Sequence, residues 1–232
     1  MTIVALEASL LLTLLSAGGS DPASDPAPGS PRELVVLVHG MGRTRHSMRH
    51  LARALEAEGY EVVSHGYHSR LHRVPRHGGD LAKVLAQEGS RPEVSRIHLV
   101  GHSLGCIVIR WAMANAPPDR LGRVVLLAPP NKGSHVADRF AGGFWWLSRP
   151  LPDLTTDPNS IPRSLPAPIG VEIGVIAASN DILVSLEESH LQGESDHIIV
   201  ASGHSFVMNK PRVHDLTLRF LRDGSFGPAE SH

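Results

Sequence analysis

The stretch "RIHLVGHSLGCIVIRWAMANAPP", from Arg96 to Pro118, sets two incompatible periods side by side. Ile97, Leu99 and Val100 form a short aliphatic run of the kind a sheet buries. After it, Leu104, Val108, Trp111 and Ala112 recur at helical spacing, and Pro117 and Pro118 end the pattern. A strand therefore runs straight into a helix, and Ser103 sits on the turn. Gly101 and Gly105 have a steric reason to flank it, because a turn this sharp brings strand and helix backbones together and leaves no room for side chains. Such a turn lifts the serine hydroxyl above the sheet and aims the helix N-terminus at it. An ordinary Gly-flanked turn shares the pattern, so the segment must be weighed with the rest of the chain.

The rest of the chain repeats the alternation. Strands are predicted at "LVVLVHG", "YEVVSHGY", "IHLV", "RVVLLAPP", "VEIGVIAA" and "HIIVA". Between them lie the helical patterns "SMRHLARALEAEG" and "DLAKVLAQEG", with Ser47 and Asp80 as N-caps and Gly59 and Gly89 as stops. A last helix carries Val213, Leu216, Phe220 and Leu221. Strands alternating with helices predict a mainly parallel sheet with helices on both faces. Residues 130–170 break the rhythm with many prolines, no clear strand and the aromatic run Phe144, Trp145, Trp146. This segment starts beyond a strand's end, on the side where open α/β sheets bind ligands. It reads as a short cap whose three aromatic residues contact substrate, against the alternative of tryptophans packed on the core.

The ends have their own character. Residues 1–19 are apolar and end in small residues, as in a secretory signal, although no Lys or Arg precedes them. Export is favoured over a loosely attached N-terminal helix. Residues 20–32 are a Pro/Ser/Asp-rich linker, 33–224 the folded domain and 225–232 a tail. A length of 232 residues suits this single domain. Lys plus Arg number 22 against 23 Asp plus Glu, so no basic surplus points to a nucleic-acid partner. The single cysteine, Cys106, excludes an internal disulfide and reads as a small buried residue. Histidines are many, and His65, His68, His72 and His77 cluster in "HGYHSRLHRVPRH". Their irregular spacing with no interleaved acid reads as solvated loop residues; no metal and no cofactor is expected.

A serine hydroxyl is a weak nucleophile unless a base takes its proton and an acid orients that base. His204 lies just past the last aliphatic run, in a Gly-containing loop. Asp181 lies past the run that ends at Ala177, again at a strand's C-terminal end. His197, Asp196 and Glu194 stand before or at the start of a strand, on the wrong edge of the sheet. Asp196 nevertheless stays open as a rival acid. For the charge that develops on a substrate oxygen, the N–H groups of Met41, in the turn "VHGMG", and of Leu104 form the expected pair. His39 is read as shaping that turn.

"VHGMG", "GHSLG", a late "ND" and "GHS", in this order, resemble the α/β-hydrolases over roughly Glu33 to Arg222. Within them the chain is most similar to small bacterial triacylglycerol lipases and to lipase-like proteins that include GPI inositol-deacylases, which carry a segment similar to "LAPPNKGSH". The resemblance implies Ser103 as nucleophile, His204 as base, Asp181 as orienting acid, and Met41 and Leu104 as oxyanion donors. It implies hydrolysis of carboxylic esters through an acyl-enzyme, with a small-molecule or lipid ester as substrate and contact with a membrane surface as an open question. A thioesterase or peptidase on the same residues, or a non-enzymatic binding protein, is the alternative. Nothing in the sequence sets the oligomeric state.

Overall fold

The computed structural model describes residues 31–143 and 148–227. Six strands, β1 (Arg32–Val38), β2 (Glu61–His65), β3 (Val94–His102), β4 (Leu121–Leu127), β5 (Ile173–Ala178) and β6 (Asp196–Val200), form one sheet. Their order is β2-β1-β3-β4-β5-β6, and every neighbouring pair is parallel. The order reverses between β1 and β3. Their C-terminal ends flank the switch point at which open α/β sheets bind ligands.

The two faces are read directly from β1. Leu34, Val36 and Val38 join the core beneath α2 (Val74–Gly89) and α3 (Leu104–Asn115). Val35 and Leu37 join the opposite core beneath α1 (Arg49–Ala57) and α7 (Pro211–Asp223). Side chains alternate along a strand, so a sheet buried on both faces needs an unbroken apolar run. The segment after β4 holds α4 (His135–Ala141) and α5 (Ile161–Ser164), both short, and α6 (Leu186–Ser189) follows β5. Among the described residues no helix is long and apolar enough to cross a membrane.

Several boundaries differ from the sequence reading. Helix α2 starts at Val74, so Asp80 lies inside it. Its start is capped from a distant loop, where Asp153 Oδ2 accepts the N–H of Val74 at 2.9 Å. Gly78 lies within the helix, at a position where a Cβ would run into the Trp111 ring of α3. Ser47 caps nothing; it lies in a 3₁₀ turn, Arg45–Met48, that precedes α1, and its hydroxyl donates to Thr44 O. Arg32 belongs to β1 rather than to a linker. At the other end Phe226 is buried against Phe220, and its N–H donates to Asp196 Oδ2 at 2.7 Å, so the domain runs through what reads as tail. Residues 1–30, 228–232 and the run Phe144, Trp145, Trp146 lie outside the described residues.

Candidate active site

The turn between β3 and α3 is as sharp as its glycines require. Ser103 has φ 52° and ψ −120°, a region costly for a residue with a Cβ. Its N–H is fixed by Leu127 O of β4 at 2.9 Å. A Cβ on Gly101 would come within 2.8 Å of Cys106 N, and one on Gly105 would run into the carbonyl of Val38. Helix α3 thus begins in contact with the end of β1. Cys106 is fully buried, which pushes its thiol pKa far up and leaves it inert.

Two loops beyond β5 and β6 meet above this turn. Ser179 N–H donates to Val200 O and Asn180 N–H to Ser202 O, so the chain past β5 stays paired with the chain past β6. Asp181 and His204 emerge from that paired stretch. Asp181 Oδ2 lies 2.6 Å from His204 Nδ1, and its Oδ1 accepts the N–H groups of Leu183 and Val184 at 2.8 and 2.9 Å. A carboxylate only accepts here, so Nδ1 carries the proton and Nε2 offers a lone pair. That Nε2 lies 2.8 Å from Ser103 Oγ. The side chains of Asp181 and His204 are both buried.

Facing the serine is the turn after β1. A Cβ on Gly40 would sit 3.2 Å from Ser103 Cβ, which shows how tightly this turn lies on the elbow. Met41 follows at once, and Leu104 opens α3, where a helix has no carbonyl to receive its first N–H groups. His39 does shape the turn: its Nδ1 contacts Gly40 O at 2.9 Å, its carbonyl accepts Tyr67 Oη–H at 2.6 Å, and its ring stacks on Tyr67. Burial lowers its pKa, keeping it neutral.

Sequence reasoning placed Ser103, His204 and Asp181, which the structure brings together, and Asp196, which it does not. It left His102 without a role, although the residue stands beside the serine. His102 is buried, and its Nε2 lies 3.0 Å from the carbonyl of His204. The reading of His65 and His77 as solvated is corrected. Both are buried around Tyr67, His65 stacked at 5.5 Å and His77 edge-on at 4.7 Å, while His68 and His72 are exposed. The apolar neighbours Ile182, beside Asp181, and Phe206, beyond His204, are 86% and 61% exposed.

The family model described as serine aminopeptidase, S33, matches residues 29–169, and the chain belongs to that family of α/β-hydrolases. Epoxide hydrolase B of Mycobacterium tuberculosis is 32% identical over 123 residues, 49% of this chain and 33% of that protein. The chain thus spans about a third of the length of the curated relatives it matches. Among solved structures, the mature lipase BlEst2 of Bacillus licheniformis aligns with TM-score 0.62 at 20% identity, covering 87% of this chain and 95% of that one. Lipase B of Aspergillus fumigatus aligns with TM-score 0.71 at 17% identity, covering 90% and 57%. These likenesses establish the fold.

Proposed function

We propose that the protein hydrolyses carboxylic esters through an acyl-enzyme on Ser103. The observation that carries this reading is the unbroken contact series from Asp181 through His204 to Ser103 Oγ, at 2.6 and 2.8 Å. His204 Nε2 takes the hydroxyl proton as Oγ attacks the ester carbonyl, and Asp181 stabilises the imidazolium that results. The negative charge on the substrate oxygen meets the N–H groups of Met41 and Leu104, an arrangement worth about a hundred- to thousandfold in rate. His204 then protonates the departing alcohol and next activates the water that releases the acid. Exposed Ile182 and Phe206 beside Asp181 and His204 favour an apolar acyl group.

A chain-length series of p-nitrophenyl acyl esters tests the reading, run beside amino-acid p-nitroanilides and an epoxide to probe the activities that the family and its curated relative are named for. Ester turnover, lost in Ser103→Ala and blocked by a fluorophosphonate that labels Ser103, is the expected result. Turnover confined to the anilide or the epoxide would overturn it.

A further inference from the structure

The segment between Asp181 and His204 holds a second cluster of titratable groups, at the N-terminal edge of the parallel sheet, opposite the edge that carries Ser103. His190 follows α6 as its C-cap residue. Gly193, at φ 83°, then reverses the chain, and Glu194 N–H closes the turn on Leu191 O at 3.1 Å. His197 is the second residue of β6. The reversal therefore gathers residues 190, 194 and 197 at one place.

Their donors converge. Glu194 Oε1 lies 2.7 Å from His190 Nδ1 and 3.0 Å from His197 Nδ1. The other carboxylate oxygen is held by Leu191 N–H at 3.0 Å, which fixes the direction in which Oε1 points. The two imidazole rings lie 4.0 Å apart. One divalent ion between them can accept a lone pair from each ring and from the carboxylate. One donor atom from each of the three residues lies within 4.8 Å of the other two. Ligands about 2.0–2.2 Å from a tetrahedral zinc stand roughly 3.3 Å apart, so small side-chain rotations suffice. His190 is 48% exposed and gives an ion a way in, while the side chains of Glu194 and His197 are 15% and 13% exposed.

We propose that His190, Glu194 and His197 bind one first-row transition-metal ion of the zinc type, with water in the fourth position. Two imidazoles select such ions over calcium or magnesium, which take oxygen ligands. The ion would clamp the reversal that leads into β6, a structural role separate from the chemistry at Ser103.

The test uses the full chain, stripped with chelator and desalted, titrated with ZnCl₂ by calorimetry and followed by thermal melting. One ion per chain is expected, with a Tm that rises with zinc concentration. His190→Ala, a change at an exposed side chain, should weaken binding at least about tenfold and remove the Tm response, and Glu194→Gln should do the same. His68→Ala and His72→Ala, at exposed histidines elsewhere, should leave both unchanged. Absence of saturable uptake, or uptake that survives His190→Ala, overturns the proposal.

Discussion

The imidazole of His102 reaches the main-chain carbonyl of His204 at 3.0 Å, so the residue before the elbow serine holds the backbone of the histidine that faces it. Burial first, and then the proximity of His204, push the His102 pKa down to about 3. The ring is therefore neutral, and because a carbonyl only accepts, Nε2 must carry the proton. We expect His102→Ala to lower kcat roughly fivefold with little change in KM, since one hydrogen bond of about 1 kcal/mol is lost where its loss misplaces the proposed base. His102→Gln should restore part of the rate through its amide N–H. Equal activity in the two variants would deny a positioning role.

The two aspartates separate cleanly. Asp181→Asn should leave the fold intact and reduce turnover by up to about ten-thousandfold, because the imidazole loses both its tautomer and its charge partner. Asp196 instead accepts the N–H groups of His197 and Phe226, tying the C-terminal segment to β6. Asp196→Asn should lower the melting temperature and spare kcat. Steady-state kinetics and melting curves of both variants check this, and the opposite ranking would move the acid.

What was legible in the sequence follows from what each feature depends on. The strands could be read because a parallel sheet buries both faces and leaves a run such as Leu34 to Val38 with no polar interruption. Ser103, Asp181 and His204 could be read because each lies at a strand's C-terminal end. The start of α2 could not, since its cap, Asp153, belongs to another loop and Gly78 looks like a breaker until Trp111 is packed over it. The burial of His65 and His77 depends on Tyr67 and was equally hidden. Phe226 lies past a Gly-terminated helix and reads as tail until its contacts with Phe220 and Asp196 are seen.

Asp153 gives a stability prediction of the same origin. Its carboxylate is fully buried, with Oδ1 held by Arg73 Nε at 2.7 Å and Oδ2 by the first N–H of α2. Arg73 is 62% exposed and rehydrates when the partner goes, so most of the cost is the lost cap and the orphaned N–H. Asp153→Ala should cost about 2 kcal/mol in urea unfolding, and Asp153→Asn less, because an amide oxygen can still accept from Val74. A cost below about 0.5 kcal/mol for the Ala variant would show that the cap is dispensable.

The buried histidines fix how stability responds to acid. Burial lowers the pKa values of His39 and His65, takes that of His77 to about 4 and, together with His204, that of His102 to about 3. In the unfolded chain each titrates near 6.5. Below that pH the unfolded state binds protons that the folded state refuses, so stability rises with pH through this range. The contribution is complete above about 6.5 and is lost progressively as pH falls toward the folded values. Shifted carboxylates such as Asp80 and Asp138, whose values are lowered, begin to lose their contribution only from about pH 5 downward and leave the upper part of the interval to the histidines. Melting temperature should therefore be level above about pH 7 and fall steadily between about 6.5 and 4.5. His77→Leu should flatten that slope, because it removes one buried base whose Nε2 has no partner among the described residues. A melting temperature that is flat across the interval, or a slope that His77→Leu leaves unchanged, would show that these rings accept protons without opening the fold.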